Sequence, residues 1–144
     1  MDDILIQMLR FASKGYTCSQ IMVLLSLNRR QDSNSGLVRA MAGLSYGCGS
    51  GNATCGVLAG ACCVIGYFAG KGSDEETGNA DLMLMLEELG DWFQDEIGSR
   101  HGGTTCQAIV GDAGPEASRG ICAGILSETY SRTIDVLSDH GIHI

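Results

Sequence analysis

One proline occurs in 144 residues, together with one tryptophan, three phenylalanines and four tyrosines. Scarcity of proline removes both Pro-rich linkers and the main breaker of long helices. Positive charge is scarce as well: nine Lys and Arg stand against 17 Asp and Glu, a net charge of −8. With no basic stripe and no interleaving of basic and aromatic residues, nucleic acid and anionic membrane are excluded as the main partner. No alternating polar–apolar run is long enough to mark a strand. The opening Met1-Asp2-Asp3 is the reverse of the basic start of a secretory leader, which implies a reducing, cytoplasmic setting.

Cysteine, by contrast, is plentiful, at seven residues. None of them forms a Cys-x-x-Cys pair, which argues against zinc ribbons, thioredoxin-like motifs and Cys-x-x-Cys-His haem attachment. Hydrophobic residues make up 44% of the chain, enough for a core without disulfide staples. The thiols therefore read as metal-binding, catalytic or simple packing groups.

Apolar periodicity and glycine punctuation predict an all-α, compact single-domain bundle of about six helices spanning residues 1–144. Ile4, Leu5, Met8, Phe11 and Ala12 share one face of a first helix over 3–13, stopped by Gly15. Thr17 and Gln20 form a capping box for a second helix running to about Asn28, and a third covers 36–44. A glycine-rich loop over 46–54 feeds a central, uncharged helix from Cys55 to Gly70, with no charged residue between Arg39 and Lys71. Its unbroken apolar part is about 16 residues against the ~20 a bilayer requires, so no membrane span is expected. Its small residues Gly56, Ala59, Gly60, Cys63 and Gly66 would admit neighbouring backbones. Leu82, Met85, Leu86, Leu89, Trp92, Phe93 and Ile97 form the stripe of an amphipathic helix whose other face is acidic. A short helix follows Cys106, and Pro115 opens a last long helix that carries Cys122 and closes at 139–141.

Three cysteines follow a threonine: Thr17-Cys18, Thr54-Cys55 and Thr105-Cys106. Each pair stands at a predicted helix start, with threonine as N-cap and cysteine at the first helical position. There the free amides and the helix dipole favour a thiolate, so lowered thiol pKa values are expected. Cys122 lies inside its helix between Gly120 and Gly124, which would let another helix end approach it.

These residues resemble the C-GCAxxG-C-C family of redox-active proteins. The family's first cysteine, in Gly-Tyr-x-Cys-x-Gln, is matched by Gly15-Tyr16-Thr17-Cys18-Ser19-Gln20. Its central motif is matched by Cys55-Gly56-Val57-Leu58-Ala59-Gly60, with valine in place of alanine, and its third and fourth cysteines by Cys106 and Cys122. Cys48, Cys62 and Cys63 fall outside the pattern and read as loop or core thiols. The resemblance implies a redox role for the four matched cysteines without defining a reaction. A similar module is carried by some split-Soret multihaem cytochromes, which hints at electron transfer.

Three chemistries follow. Cys18, Cys55, Cys106 and Cys122 could ligate an iron–sulfur cluster or another thiolate-bound metal and exchange electrons with a redox partner protein. They could instead form a metal-free dithiol–disulfide system without any cofactor. Or they could be packing residues of a helical homodimer or accessory protein. The third reading is non-enzymatic; the first two leave open whether the chain is an enzyme.

Overall fold

The computed structural model describes residues 3–144, apart from the side chains of Pro115 and Glu116; of the acidic opening, Met1 and Asp2 lie outside the described residues. Among the described residues the regular structure is helical, and one isolated bridge, Thr54 with Thr105, is the whole of the β-type pairing. Within them the main helices follow in order: α1 (Asp3–Ser13), α2 (Cys18–Arg29), α3 (Ser35–Met41), α4 (Gly56–Ala69), α5 (Leu82–Phe93), α6 (Cys106–Val110) and α7 (Pro115–Asp139). A 3-10 turn, Ala42–Leu44, extends α3, and α5 runs on through a π-turn, Gln94–Gly98, and a last turn, Ser99–His101. The all-α expectation is correct.

Helix ends follow the chemistry of their residues. Gly15 takes φ +94 to leave α1, a conformation that costs a side chain dearly. The Thr17 amide donates to Gln20 Oε1 at 3.1 Å, which tightens the entry to α2. Asn34 caps α3 by accepting from the Leu37 amide at 3.0 Å. Pro115 sits in the first turn of α7, where its missing N–H costs nothing.

The uncharged α4 is the central element and packs against α2, α5 and α7. Its Val57, Ala61, Val64 and Ile65 are fully buried with Met22 and Leu25 of α2, and with Met85, Leu89 and Phe93 of α5. Each fully buried large side chain of this kind contributes roughly 1.5–3 kcal/mol. Val136 and Leu137 of α7 close the far end. Among the described residues no helix is long and apolar enough to cross a membrane.

Close approach at α4 uses two of its glycines. A Cβ on Gly60 would meet Ser19 Cα and Met22 Cβ of α2 at 3.1 Å, and one on Gly56 would meet the Cys18 sulfur at 2.7 Å. Gly66 has nothing within 4 Å of its missing Cβ, so it does not serve the approach expected of it.

Candidate functional site

The three Thr-Cys pairs form two kinds of helix start. Thr17 and Thr105 are N-caps, which puts Cys18 and Cys106 at the first position of α2 and α6. The Thr105 hydroxyl accepts from the Ala108 amide at 3.0 Å. The second pair differs from expectation: Cys55 is itself the N-cap of α4, and Thr54 lies before the helix. The amides of Val57 and Leu58 favour the Cys55 thiolate, although the Cys55 side chain makes no capping hydrogen bond. Thr54 is occupied otherwise, because it bridges Thr105 antiparallel. The Cys55 amide donates to Thr104 O at 2.8 Å and the Cys106 amide to Ala53 O at 3.3 Å. Two of the Thr-Cys pairs are thus bonded back to back, which brings the starts of α4 and α6 together.

Between α3 and α4 the chain makes a left-handed turn. Tyr46, Gly47, Cys48 and Gly49 take φ of 54°, 62°, 56° and 86° in succession. For Tyr46 and Cys48 this costs about 1–2 kcal/mol each. At Gly47 a Cβ would meet Ala53 O at 2.8 Å and Cys106 Cβ at 3.1 Å, so only glycine lets the turn lie against the Cys106 stretch. The Gly51 carbonyl accepts from the Gln107 amide at 2.9 Å and fastens the same loop to α6.

The fourth cysteine, Cys122, is in the third turn of α7, a helix that packs against both α4 and α6. A Cβ added at Gly120 or Gly124 would have no neighbour within 4 Å, so these glycines do not provide the close approach expected of them. Packing of α7 on α4 brings Cys122 in, and its flanking glycines do not.

Electrostatics ties the four sulfurs together. Cys18 interacts with Cys106, Cys55 with Cys18 and Cys106, and Cys122 with the other three, so every pair within the four repels when ionised. Cys62 packs against the core and is raised by burial and by its neighbour Cys63, not by the four, and Cys48 is exposed. Lowered thiol pKa values do not result. Burial is the largest effect at all four: it raises Cys18 and Cys106, and pushes Cys55 up to about 11 and Cys122 up to about 12, with mutual repulsion adding at Cys18, Cys55 and Cys122. The amides of Tyr46, Ser19 and Cys18 itself oppose the rise at Cys18 without overcoming it. Desolvation outweighs the helix-start donors because the starts converge inside the protein rather than in water. Among the described residues no three His, Cys, Asp or Glu side chains are arranged to hold a metal ion as they stand.

A family described as "Putative redox-active protein (C_GCAxxG_C_C)" matches residues 16–136. The chain belongs to the C-GCAxxG-C-C family. Membership carries a redox-active designation, and the matched span includes all four cysteines of the cluster. Searches of curated proteins and of solved structures found no significant match.

Sequence reasoning missed the left-handed turn and the partner of Gly56. The Gly47 and Gly49 spacing around Cys48 was the available signal for the turn. No local signal shows that Gly56 faces the Cys18 sulfur, since the two lie far apart in sequence.

Proposed function

We propose that this C-GCAxxG-C-C protein is an electron carrier that holds an iron–sulfur cluster on Cys18, Cys55, Cys106 and Cys122 and passes electrons to a redox partner protein in the cytoplasm. The observation that carries the reading is the meeting of the starts of α2, α4 and α6, where the Cys18 sulfur lies against Gly56 next to Cys55 and the Cys55 and Cys106 amides are bonded across the Thr54–Thr105 bridge, with burial raising the pKa of all four thiols. Four such thiols cannot ionise together in a partly buried site without a cation, and coordination to iron deprotonates a thiol outright. The donor set is four thiolates, which is the common ligation of such clusters. The amides favouring the Cys18 and Cys55 thiolates would donate to cluster sulfur and raise its potential.

Anaerobic purification or reconstitution, with iron and acid-labile sulfide analysis and electron paramagnetic resonance of the reduced sample, tests the reading. A coloured protein with equal iron and sulfide is expected, and its loss on Cys106→Ser or Cys122→Ser. A colourless chain that takes up no iron and reversibly forms a disulfide among the four would replace this reading with the dithiol one.

A further inference from the structure

Beside the sulfurs the hydroxyl of the α2 cap, Thr17, is joined to two more, Ser45 and Ser19, that serve neither capping nor ligation. Ser45 precedes the left-handed turn and is almost fully buried, with Ser19 completely so. The hydroxyls of Ser45 and Thr17 are hydrogen-bonded at 2.5 Å, and Ser45 Oγ lies 3.3 Å from Ser19 Oγ. Ser19 donates to Met41 O at 2.7 Å, and Thr17 can donate to Gln20 Oε1 at 3.2 Å. With those two donors directed outward, the Ser45 proton is free to bind Thr17 or Ser19. Ser45 is thereby pinned to the residues on either side of Cys18.

We propose that Ser45 is a positioning residue for the thiol site, whose hydroxyl holds the left-handed Tyr46–Gly49 turn on the first turn of α2 and so keeps the Tyr46 amide aimed at the Cys18 sulfur. The turn needs such an anchor, because positive φ at its two non-glycine positions, Tyr46 and Cys48, is unfavourable without outside support. The carbonyls of Ser45, Tyr46 and Gly47 accept from the Gly49, Gly51 and Ala53 amides at 2.9, 2.9 and 3.4 Å, and Gly51 and Ala53 in turn fasten the loop to α6, not to α2. The Ser45 hydroxyl is the side-chain link to α2. Gly56 leaves room for the Cys18 sulfur, since a Cβ there would fall 2.7 Å from it. An amide aimed at a ligand sulfur stabilises the more negative, reduced state of the centre, so losing the aim lowers the potential. This consequence for the potential rests on the electron-carrier reading; the clamp itself does not.

Two measurements on Ser45→Ala and Ser45→Thr decide the matter and separate the two claims. In the reduced, metal-free chain, amide hydrogen exchange at Tyr46 should speed up in Ser45→Ala relative to α4 amides, and stay slow in Ser45→Thr. In the iron–sulfur-loaded chain, the midpoint potential should move negative in Ser45→Ala and return toward wild type in Ser45→Thr. Unchanged Tyr46 exchange in Ser45→Ala overturns the clamp, whatever the cluster does. Faster exchange with an unchanged potential in the loaded chain overturns the positioning role. If wild type takes up no cluster, the electron-carrier reading fails and the exchange measurement alone judges the clamp. Should Ser45→Ala not fold, Thr17→Val removes the partner hydroxyl; because it also removes the α2 cap, Tyr46 exchange is then read relative to the Gln20 and Ile21 amides, and only an excess at Tyr46 supports the clamp.

Discussion

Glycine substitution at α4 separates backbone effects from site effects. Ala is the better helix former, so Gly66→Ala, with open space around its Cβ, should stabilise the chain by about 0.5–1 kcal/mol and leave the thiols unaffected. Gly56→Ala should do the opposite. Its Cβ would fall 2.7 Å from the Cys18 sulfur and 3.1 Å from Leu44 O, and the resulting overpacking should cost about 1–3 kcal/mol and displace Cys18. Urea midpoints of the two variants, with iron content after reconstitution, check both signs. At the cysteines themselves, exposed Cys48 should be alkylated first in the reduced chain, and Cys55, 4% exposed, among the last. Mass spectrometry of partially alkylated samples reads the order. Equal reactivity at Cys48 and Cys55 would contradict the described burial.

Where helices meet, ionisation controls the contacts. Cys55 and Cys122 have folded pKa values raised to about 11 and about 12, above the ordinary thiol value. Their contribution to stability is therefore full below about pH 8.5 and is lost as pH rises through the folded values. The urea midpoint of the reduced, metal-free chain should fall above about pH 9, and fall less steeply in Cys122→Ala. A second contact links α7 to α5. His140 Nδ1 lies 3.0 Å from Asp81 and its Nε2 lies 3.1 Å from Glu88, and both carboxylates raise its pKa. That contribution is complete below about pH 6.5 and disappears as pH climbs through the raised folded value. The midpoint difference between wild type and His140→Gln should thus be larger at about pH 5.5 than at about pH 8.5. An equal difference at both would show that the imidazolium contributes nothing. The acidic face of α5 is solvated at Glu87, Asp91 and Asp95 as its pattern implied, but Glu88 has this partner and is half-buried.

For the molecule as a whole, the proposed cluster, held by four separate segments, would bind the folded chain and not the unfolded one. Loading should therefore raise the thermal midpoint of wild type, and should not do so for Cys55→Ser. A chelator that strips iron should return wild type to the metal-free midpoint. Helix positions and the shared face of Met85, Leu89, Phe93 and Ile97 were legible in periodicity, because helical burial repeats every three to four residues, and the central place of α4 in its lack of charge. Starts of α2 and α6 were legible in their threonine caps, because capping is a local bond between neighbouring residues. The start of α4 was misread by one residue, since Thr54 is taken by a bridge to distant Thr105.

The sequence by itself determined that this chain is helical, which segments form its helices, and that Cys18 and Cys106 stand at helix starts; propensity, periodicity and capping act over a few residues and need no partner. Only the tertiary structure decided that the thiols are held above their ordinary pKa values. Desolvation and repulsion among Cys18, Cys55, Cys106 and Cys122 depend on four segments meeting, and they exceed the local pull of the helix-start amides.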